Sequence, residues 1–399
     1  MDVGIYQESV EKFGTPCYIF DLDRFRDRLK EVQKILGKRA QICYAMKANP
    51  FLVKAASEWV NDLEVCSPGE FAICERAGVP VKQVVLSGVN KEEKDIRYIA
   101  KQYGEQVTYT VESLLQLDNL QKAGKDFQRK LPVLLRVTSG NQFGLSEELI
   151  RRIIEKRSSY PALDFLGLQY FSGTQKKRIE VLEEELMYMD RLICDLEKYG
   201  YEAEVLEFGP GLYVEYFPKD TKTDEFKLLR EFAALLPKVH FEKKINLELG
   251  RYLAASCGRY LTSIVDQKIN NDMGFCIVDG GIHQVNYFGQ TMAMKIPAYR
   301  QIKKSVFQPV TEKDTAWNIC GSLCTLNDII VKKLPLHDAS VGDTLVFENA
   351  GAYSVTECMA LFLSRDLPKV LYYDEAKGLR LARDRIETNF FNYDSRVKR

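Results

Sequence analysis

Short apolar runs bounded by turn residues recur through the first two-thirds of the chain, and amphipathic stretches fill the gaps between them. The runs fall at residues 41–46, 62–67, 83–87, 107–111, 132–138, 163–171, 203–208 and 244–249. Residues 23–36 carry Phe25, Leu29, Val32 and Leu36 at helical spacing. Residues 178–199 do the same with Ile179, Leu182, Leu186, Met189, Leu192 and Leu196. Such stripes are ordinary core packing. Strands alternating with helices over about 220 residues suit a (β/α)8 barrel. A doubly wound open sheet has the same periodicity. No Gly-x-Gly-x-x-Gly follows the first strand, which weighs against its dinucleotide-binding form.

Beyond about residue 255 the pattern changes. Short strand-like runs at 260–267, 274–279, 328–333 and 343–348 are separated by turn signals such as Asn270-Asn271-Asp272 and Val341-Gly342-Asp343. Long helical stretches become rare. The spacing predicts a β-rich second domain, joined by the N-terminal run that follows the turn at Gly14-Thr15-Pro16. The expected division is a barrel over 28–255 and a β-rich domain over 256–399 with 1–27. Asn389 to Arg399 reads as a loose tail.

Composition narrows the class. Lysine plus arginine equals aspartate plus glutamate at 56 each, which gives no support to nucleic-acid binding. Met1 to Val10 lacks the basic start and apolar run of a signal peptide, and no apolar stretch reaches membrane-spanning length. Ten cysteines show no disulfide-like framework, and Cys17, Cys43, Cys66 and Cys276 lie in apolar runs. The expectation is reduced thiols in a cytoplasmic protein. Cys320 and Cys324 are four apart with no second Cys/His pair, so no metal site is expected.

A barrel presents its chemistry at the C-terminal ends of its strands. Those ends hold Lys47, Glu64, Ser67, Ser87, Arg136, Ser172-Gly173-Thr174-Gln175, Gly209-Pro210-Gly211 and Glu248-Leu249-Gly250-Arg251. An ammonium at Lys47 fits an ordinary strand-end lysine, and it fits equally a lysine forming a Schiff base with pyridoxal phosphate. Gly209 and Gly211 permit close backbone approach to a phosphate, as they permit a plain turn. Arg251 suits a phosphate or a salt bridge. Glu248 lies in an apolar strand, where an unpaired carboxylate is costly. Either a pyridinium N–H or a structural cation satisfies it.

Tyr44-Ala45-Met46-Lys47-Ala48-Asn49 resembles the cofactor-lysine motif of the fold-type III pyridoxal-phosphate decarboxylases. This is the diaminopimelate, ornithine and arginine decarboxylase family, built on an alanine-racemase-like barrel with a β-rich C-terminal domain. The resemblance continues in order through Ser67-Pro68-Gly69-Glu70, Gly173-Thr174-Gln175, Gly209-Pro210-Gly211, Glu248-x-Gly250-Arg251, Gly321-Ser322-Leu323-Cys324 with Asp328, and Gly351-Ala352-Tyr353. It implies α-decarboxylation of an amino acid through an external aldimine. Lys47 holds the cofactor aldehyde and Glu248 meets the pyridine nitrogen. Gly173, Gly209, Gly211, Arg251 and Tyr353 bind the cofactor, mainly at its phosphate. Cys324, with Asp328 nearby, returns a proton across the interface of a homodimer whose active sites are shared. Glu64, Phe171 and His283 join Asp328 as substrate contacts or supports.

Departures from the family pattern bear on the substrate. Phe171 stands where many members have a ring-stacking histidine. Thr325-Leu326 replaces the Glu-Ser that follows the cysteine in diaminopimelate decarboxylases, and Met294-Lys295-Ile296-Pro297-Ala298-Tyr299 lacks the arginine of Met-Arg-Pro-x-x-Tyr. Ala360 to Arg365 replaces the usual Ser-x-Tyr-Asn segment. Phe171, Leu323-Cys324-Thr325 and Asp279-Gly280-Gly281-Ile282-His283 resemble a branch acting on aminoacyl groups tethered to carrier proteins, including the glutamyl-carrier decarboxylase of butirosin biosynthesis. The resemblance therefore implies a carrier-linked, glutamyl-like substrate and an acyl or peptidyl carrier protein as partner. Diaminopimelate or another free amino acid is the alternative. An alanine-racemase-type enzyme would use a tyrosine base instead of Cys324, and a non-catalytic homologue would be expected to lose Lys47.

Overall fold

The computed structural model describes residues 1–218, 224–304 and 314–394. The chain folds as two compact units.

The first unit spans Arg26–Val214 and Asp224–Leu253. After β1 (Cys17–Asp21), which belongs to the other unit, come the eight barrel strands. They are β2 (Gln41–Ala45), β3 (Asp62–Val65), β4 (Val84–Leu86), β5 (Thr108–Val111), β6 (Leu131–Val137), β7 (Leu163–Phe171), β8 (Val205–Gly209) and β9 (Lys244–Leu249). All pair in parallel, and β2 closes the ring on β9 with Cys43 opposite Glu248. Closure excludes the open doubly wound sheet. The amphipathic stretches become Leu22–Leu36 and Ile179–Glu197, within two residues of their sequence limits. Helix starts follow capping chemistry. Ser67 accepts from Glu70 N with Pro68 in the first turn, and the Glu70 carboxylate accepts from Cys66 N at 2.7 Å. That cap fixes the chain directly after β3, where Glu64 sits.

The second unit holds Met1–Phe25, residues 215–218 and the chain from Ala254 onward. Its strands are β1, β10 (Gly258–Asn270), β11 (Met273–Val278), β12 (Tyr299–Ile302), β13 (Asp314–Cys320), β14 (Ile329–His337), β15 (Thr344–Glu348), β16 (Lys369–Asp374) and β17 (Gly378–Arg383). They form one sheet in the order β14-β13-β11-β10-β1-β16-β17, with β15 pairing β10 and β12. The N-terminal run joins it as β1, antiparallel to β10 and parallel to β16. Tyr6, Cys17, Ile19, Leu261, Ile302, Val346 and Leu371 form its core. Sequence periodicity missed the opening helix Val3–Phe13 and strands β12, β13, β16 and β17. The tail expectation is corrected in part. Asn389–Phe391 form a 3-10 turn, and Asn392 Nδ2 donates to Leu361 O at 2.8 Å. Residues 395–399 lie outside the described residues.

Candidate active site

Lys47 follows β2 in a 3-10 turn, Met46–Ala48, one step past the strand end expected from sequence. The turn lifts its side chain over the C-terminal mouth of the barrel. The strands flanking β2 are β3 and β9, and each sends one acid to the lysine. Nζ donates to Glu64 Oε2 at 2.6 Å and to Glu248 Oε1 at 3.1 Å. Both carboxylates are buried, while the lysine is about a third exposed. Phe171, ending β7, presents its ring 6.0 Å from Nζ.

The two acids titrate in opposite directions. Burial raises Glu64, but the Lys47 ammonium, the bond with Glu248 and the Arg136 charge outweigh it and hold the group near 2. Glu248 is pushed up to about 7 by burial and then by the Glu64 charge, with Lys47 only partly compensating. One ammonium cannot neutralise two desolvated carboxylates, so the proton affinity of Glu248 rises while that of Glu64 falls.

Backbone builds the neighbouring wall. Gly211 has φ +61°, and a Cβ there would sit 2.0 Å from Gly173 O. At Gly209 a Cβ would meet the Phe171 ring at 2.6 Å. Only glycine permits the loops after β7 and β8 to touch in this way. Around Gly173 the corresponding position meets nothing within 4 Å, which leaves open space at the cradle. Arg251 follows β9, three residues beyond Glu248.

Beneath the mouth lies a polar layer of which sequence reading named Ser87 and Arg136 but missed Gln169, Glu207 and Glu112. Gln169 Nε2 on β7 donates to Glu207 Oε1 at 2.7 Å and to Ser87 Oγ at 3.2 Å. Glu207 is fully buried, its Oε2 has no hydrogen-bond partner among the described residues, and burial followed by the Glu248 and Glu64 charges raises it well above its ordinary value. Arg136 Nη1 meets Glu112 Oε1 at 3.2 Å, both buried, with the Phe143 ring 4.8 Å from the guanidinium. The available signal was a lone polar residue inside an otherwise apolar run: Gln169 on β7 and Glu207 on β8.

The remaining predicted residues belong to the β-rich unit. Cys324 is exposed in the turn between β13 and β14. Asp328 is buried, and it does not pair with the thiol as the motif implies. Its oxygens accept from Ile282 N at 2.9 Å and Leu323 N at 2.7 Å, so the carboxylate braces the loop backbone. Tyr353 adopts a left-handed φ of +68°. His283 is buried beside Asp328. Cys320 and Cys324 join no three-ligand cluster among the described residues. Asp190, Cys194 and His240 do approach one another, with Asp190 already accepting from His240 N and Phe241 N.

Residues 22–255 match the family model described as the pyridoxal binding domain of pyridoxal-dependent decarboxylases. The chain belongs to the pyridoxal-dependent decarboxylases. The decarboxylase is 26% identical over 382 residues to the L-glutamyl-[BtrI acyl-carrier protein] decarboxylase of Niallia circulans, covering 90% of this chain and 88% of that one. It is 26% identical over 373 residues to the diaminopimelate decarboxylase of Aquifex aeolicus, covering 87% and 84%. The fold matches diaminopimelate decarboxylase from Helicobacter pylori complexed with L-lysine, with TM-score 0.84, 21% identity, and 96% and 98% coverage. No helix among the described residues of the decarboxylase is long and apolar enough to cross a membrane.

The cofactor is pyridoxal phosphate, and the donor set fits it. A primary amine for the aldehyde, a buried acid at the same place for the ring nitrogen, and two loops that meet at their glycines all stand at one barrel mouth. The enzyme is an amino-acid carboxy-lyase.

Proposed function

We propose that this enzyme removes the α-carboxylate of an aminoacyl group, glutamyl-like, tethered to a carrier protein. One observation carries the reading: the loop after Cys324 offers no charge to a substrate. Thr325 and Asn327 are neutral, Leu326 is 95% exposed, and the Asp328 carboxylate is spent on backbone N–H groups. A free diamino dicarboxylate needs a charged partner at its far end. A thioester and its arm do not. The Met294–Tyr299 segment adds to this, because Lys295 Nζ is engaged with Gly289 O at 2.7 Å. The similarity to a glutamyl-carrier decarboxylase supports the same reading. Diaminopimelate is the second reading, favoured by the equal identity to the Aquifex enzyme.

Bound pyridoxal phosphate supplies the electron sink for the pair left on Cα when carbon dioxide departs. In this reading Lys47 holds the cofactor through Nζ. Glu248 would pair with the ring nitrogen, and Glu64 would keep the lysine placed. Gly173, Gly209, Gly211 and Arg251 would hold the phosphate, and Phe171 would offer the ring an aromatic face. Cys324 carries on Sγ the proton delivered to Cα in the site of a second subunit, which makes the working unit a homodimer.

The test is a kinetic comparison of glutamyl-carrier thioester with free diaminopimelate, lysine, ornithine and glutamate. The thioester should have the highest kcat/KM. Efficient turnover of free diaminopimelate overturns the carrier assignment.

A further inference from the structure

We propose that the β-rich unit contains a small-anion site, a cavity of about 650 Å³ lined by His283, Arg365 and Lys369 and suited to a dicarboxylate or a phosphate monoester. Its volume is that of a small-molecule site.

His283 is 4% exposed, and neither ring nitrogen has a hydrogen-bond partner among the described residues. Buried polar atoms in folded proteins are nearly always paired, and an unpaired one is costly. Burial lowers the imidazole pKa, with Asp328 opposing and Arg365 assisting, so the ring offers one N–H donor and one acceptor. A ligand in the cavity satisfies it without any change in the fold.

The lining charge selects the ligand. Its acids are already used. Asp279 accepts from Thr15 Oγ1 at 2.6 Å, Thr262 Oγ1 at 2.6 Å and Ser263 N at 3.0 Å. Asp366 is paired with Arg385. The cations are not used in this way. Arg365 donates to the Ser322 carbonyl at 2.7 Å and has no carboxylate within ion-pair distance among the described residues. Lys369 Nζ donates to Phe13 O at 2.9 Å, with Asp384 Oδ1 only at 3.9 Å. One guanidinium, one ammonium whose nearest acid stands 3.9 Å away, and one imidazole N–H form a receptor for a carboxylate or phosphate oxyanion. Two positive charges favour a dianion.

The cavity is also tied to the Cys324 loop. Arg365 holds Ser322 O, Ser322 N donates to Gly280 O at 2.8 Å, and Asp328 clamps Ile282 and Leu323. A ligand drawing on Arg365 acts on the same loop.

Calorimetric titration of the pyridoxal-phosphate-loaded enzyme with inorganic phosphate and, separately, with succinate tests the site. The loaded enzyme keeps its cofactor phosphate in place, so the barrel does not compete for added phosphate. Saturable binding of at least one anion is expected, weakened tenfold or more in Arg365→Met and in Lys369→Met. The chain has three histidines, so ring NMR resolves His283, whose signal should move on binding. Binding of succinate alone assigns a dicarboxylate, and binding of phosphate alone a phosphate ester. If Arg365→Met fails to fold, Lys369→Met decides. Absence of saturable binding, equal affinity in the variants, or binding without a His283 shift overturns the proposal.

Discussion

Glu64 and Glu248 stand on the two strands that flank β2 and close on a single atom, Lys47 Nζ, yet one is held near 2 and the other near 7. The cofactor-free protein should report this directly. Glu64 lies below its ordinary value of 4.5, so its stabilisation is present above that pH and is lost as pH falls toward 2. Glu248 lies above the same value, so the folded state binds the extra proton and stability declines as pH rises from 4.5 to 7. In Glu248→Gln, apoenzyme Tm measured against pH should lose the decline over 4.5 to 7 and keep the acid-side loss. A decline unchanged from wild type would contradict the assignment.

Lys47→Ala should abolish the visible absorbance of lysine-bound cofactor and decarboxylation with it. Cys324→Ala should keep that absorbance and lower kcat by about 10²–10⁴-fold. Spectra and carbon dioxide release measured on the same preparations separate cofactor attachment from proton delivery.

Mixing the inactive Lys47→Ala and Cys324→Ala proteins should restore about a quarter of wild-type activity if each site draws on two subunits. No recovery after verified subunit exchange would place both residues' work within one chain.

Arg136 and Glu112 form a buried pair. Arg136→Met should cost about 3–5 kcal/mol, because it leaves a buried carboxylate unpaired. Arg136→Met with Glu112→Leu should recover much of that loss, as read by urea midpoints with an unchanged m-value.

Glu207 is fully buried, and burial together with the nearby Glu248 and Glu64 carboxylates pushes its carboxyl well up, toward the protonated form. Glu207→Gln should therefore change stability at pH 7 by less than about 1 kcal/mol, since one neutral hydrogen-bonding group replaces another. Glu207→Ala should cost about 2–5 kcal/mol through the cavity it leaves. Chemical denaturation of the three proteins at pH 7 distinguishes a neutral acid from an ionised one.

Much of the barrel was legible because its helices carry apolar stripes at 3.6-residue spacing and its strands are apolar runs cut off by turn residues. Residues 178–199 and 244–249 needed nothing beyond that pattern. Lys47, Glu248, Gly209 and Gly211 were legible as candidates because a lysine at a strand end, an acid in an apolar strand and paired glycines are each costly or permissive in recognisable ways. The ordered motifs supplied the family. Strands β16 and β17 were not legible. Both carry many partly exposed positions; β16 pairs with β1, about 350 positions away in sequence, and β17 pairs with β16 in turn.

Propensity, spacing and side-chain chemistry are local, and they were enough to place the barrel strands and their longest helices and to mark residues that are chemically unusual. Tertiary structure alone decided which of those residues meet. Glu64 and Glu248 are 184 positions apart by their numbers and touch the same ammonium only because β2 closes the ring between β3 and β9. Asp328 serves the backbone of Ile282 and Leu323 and not the Cys324 thiol because the β13–β14 turn packs on the segment after β11. The raised carboxyl of Glu207 and the His283 ring without a hydrogen-bond partner among the described residues have the same origin. Burial and charge state are properties of everything packed around a group, and no stretch of chain carries that information alone.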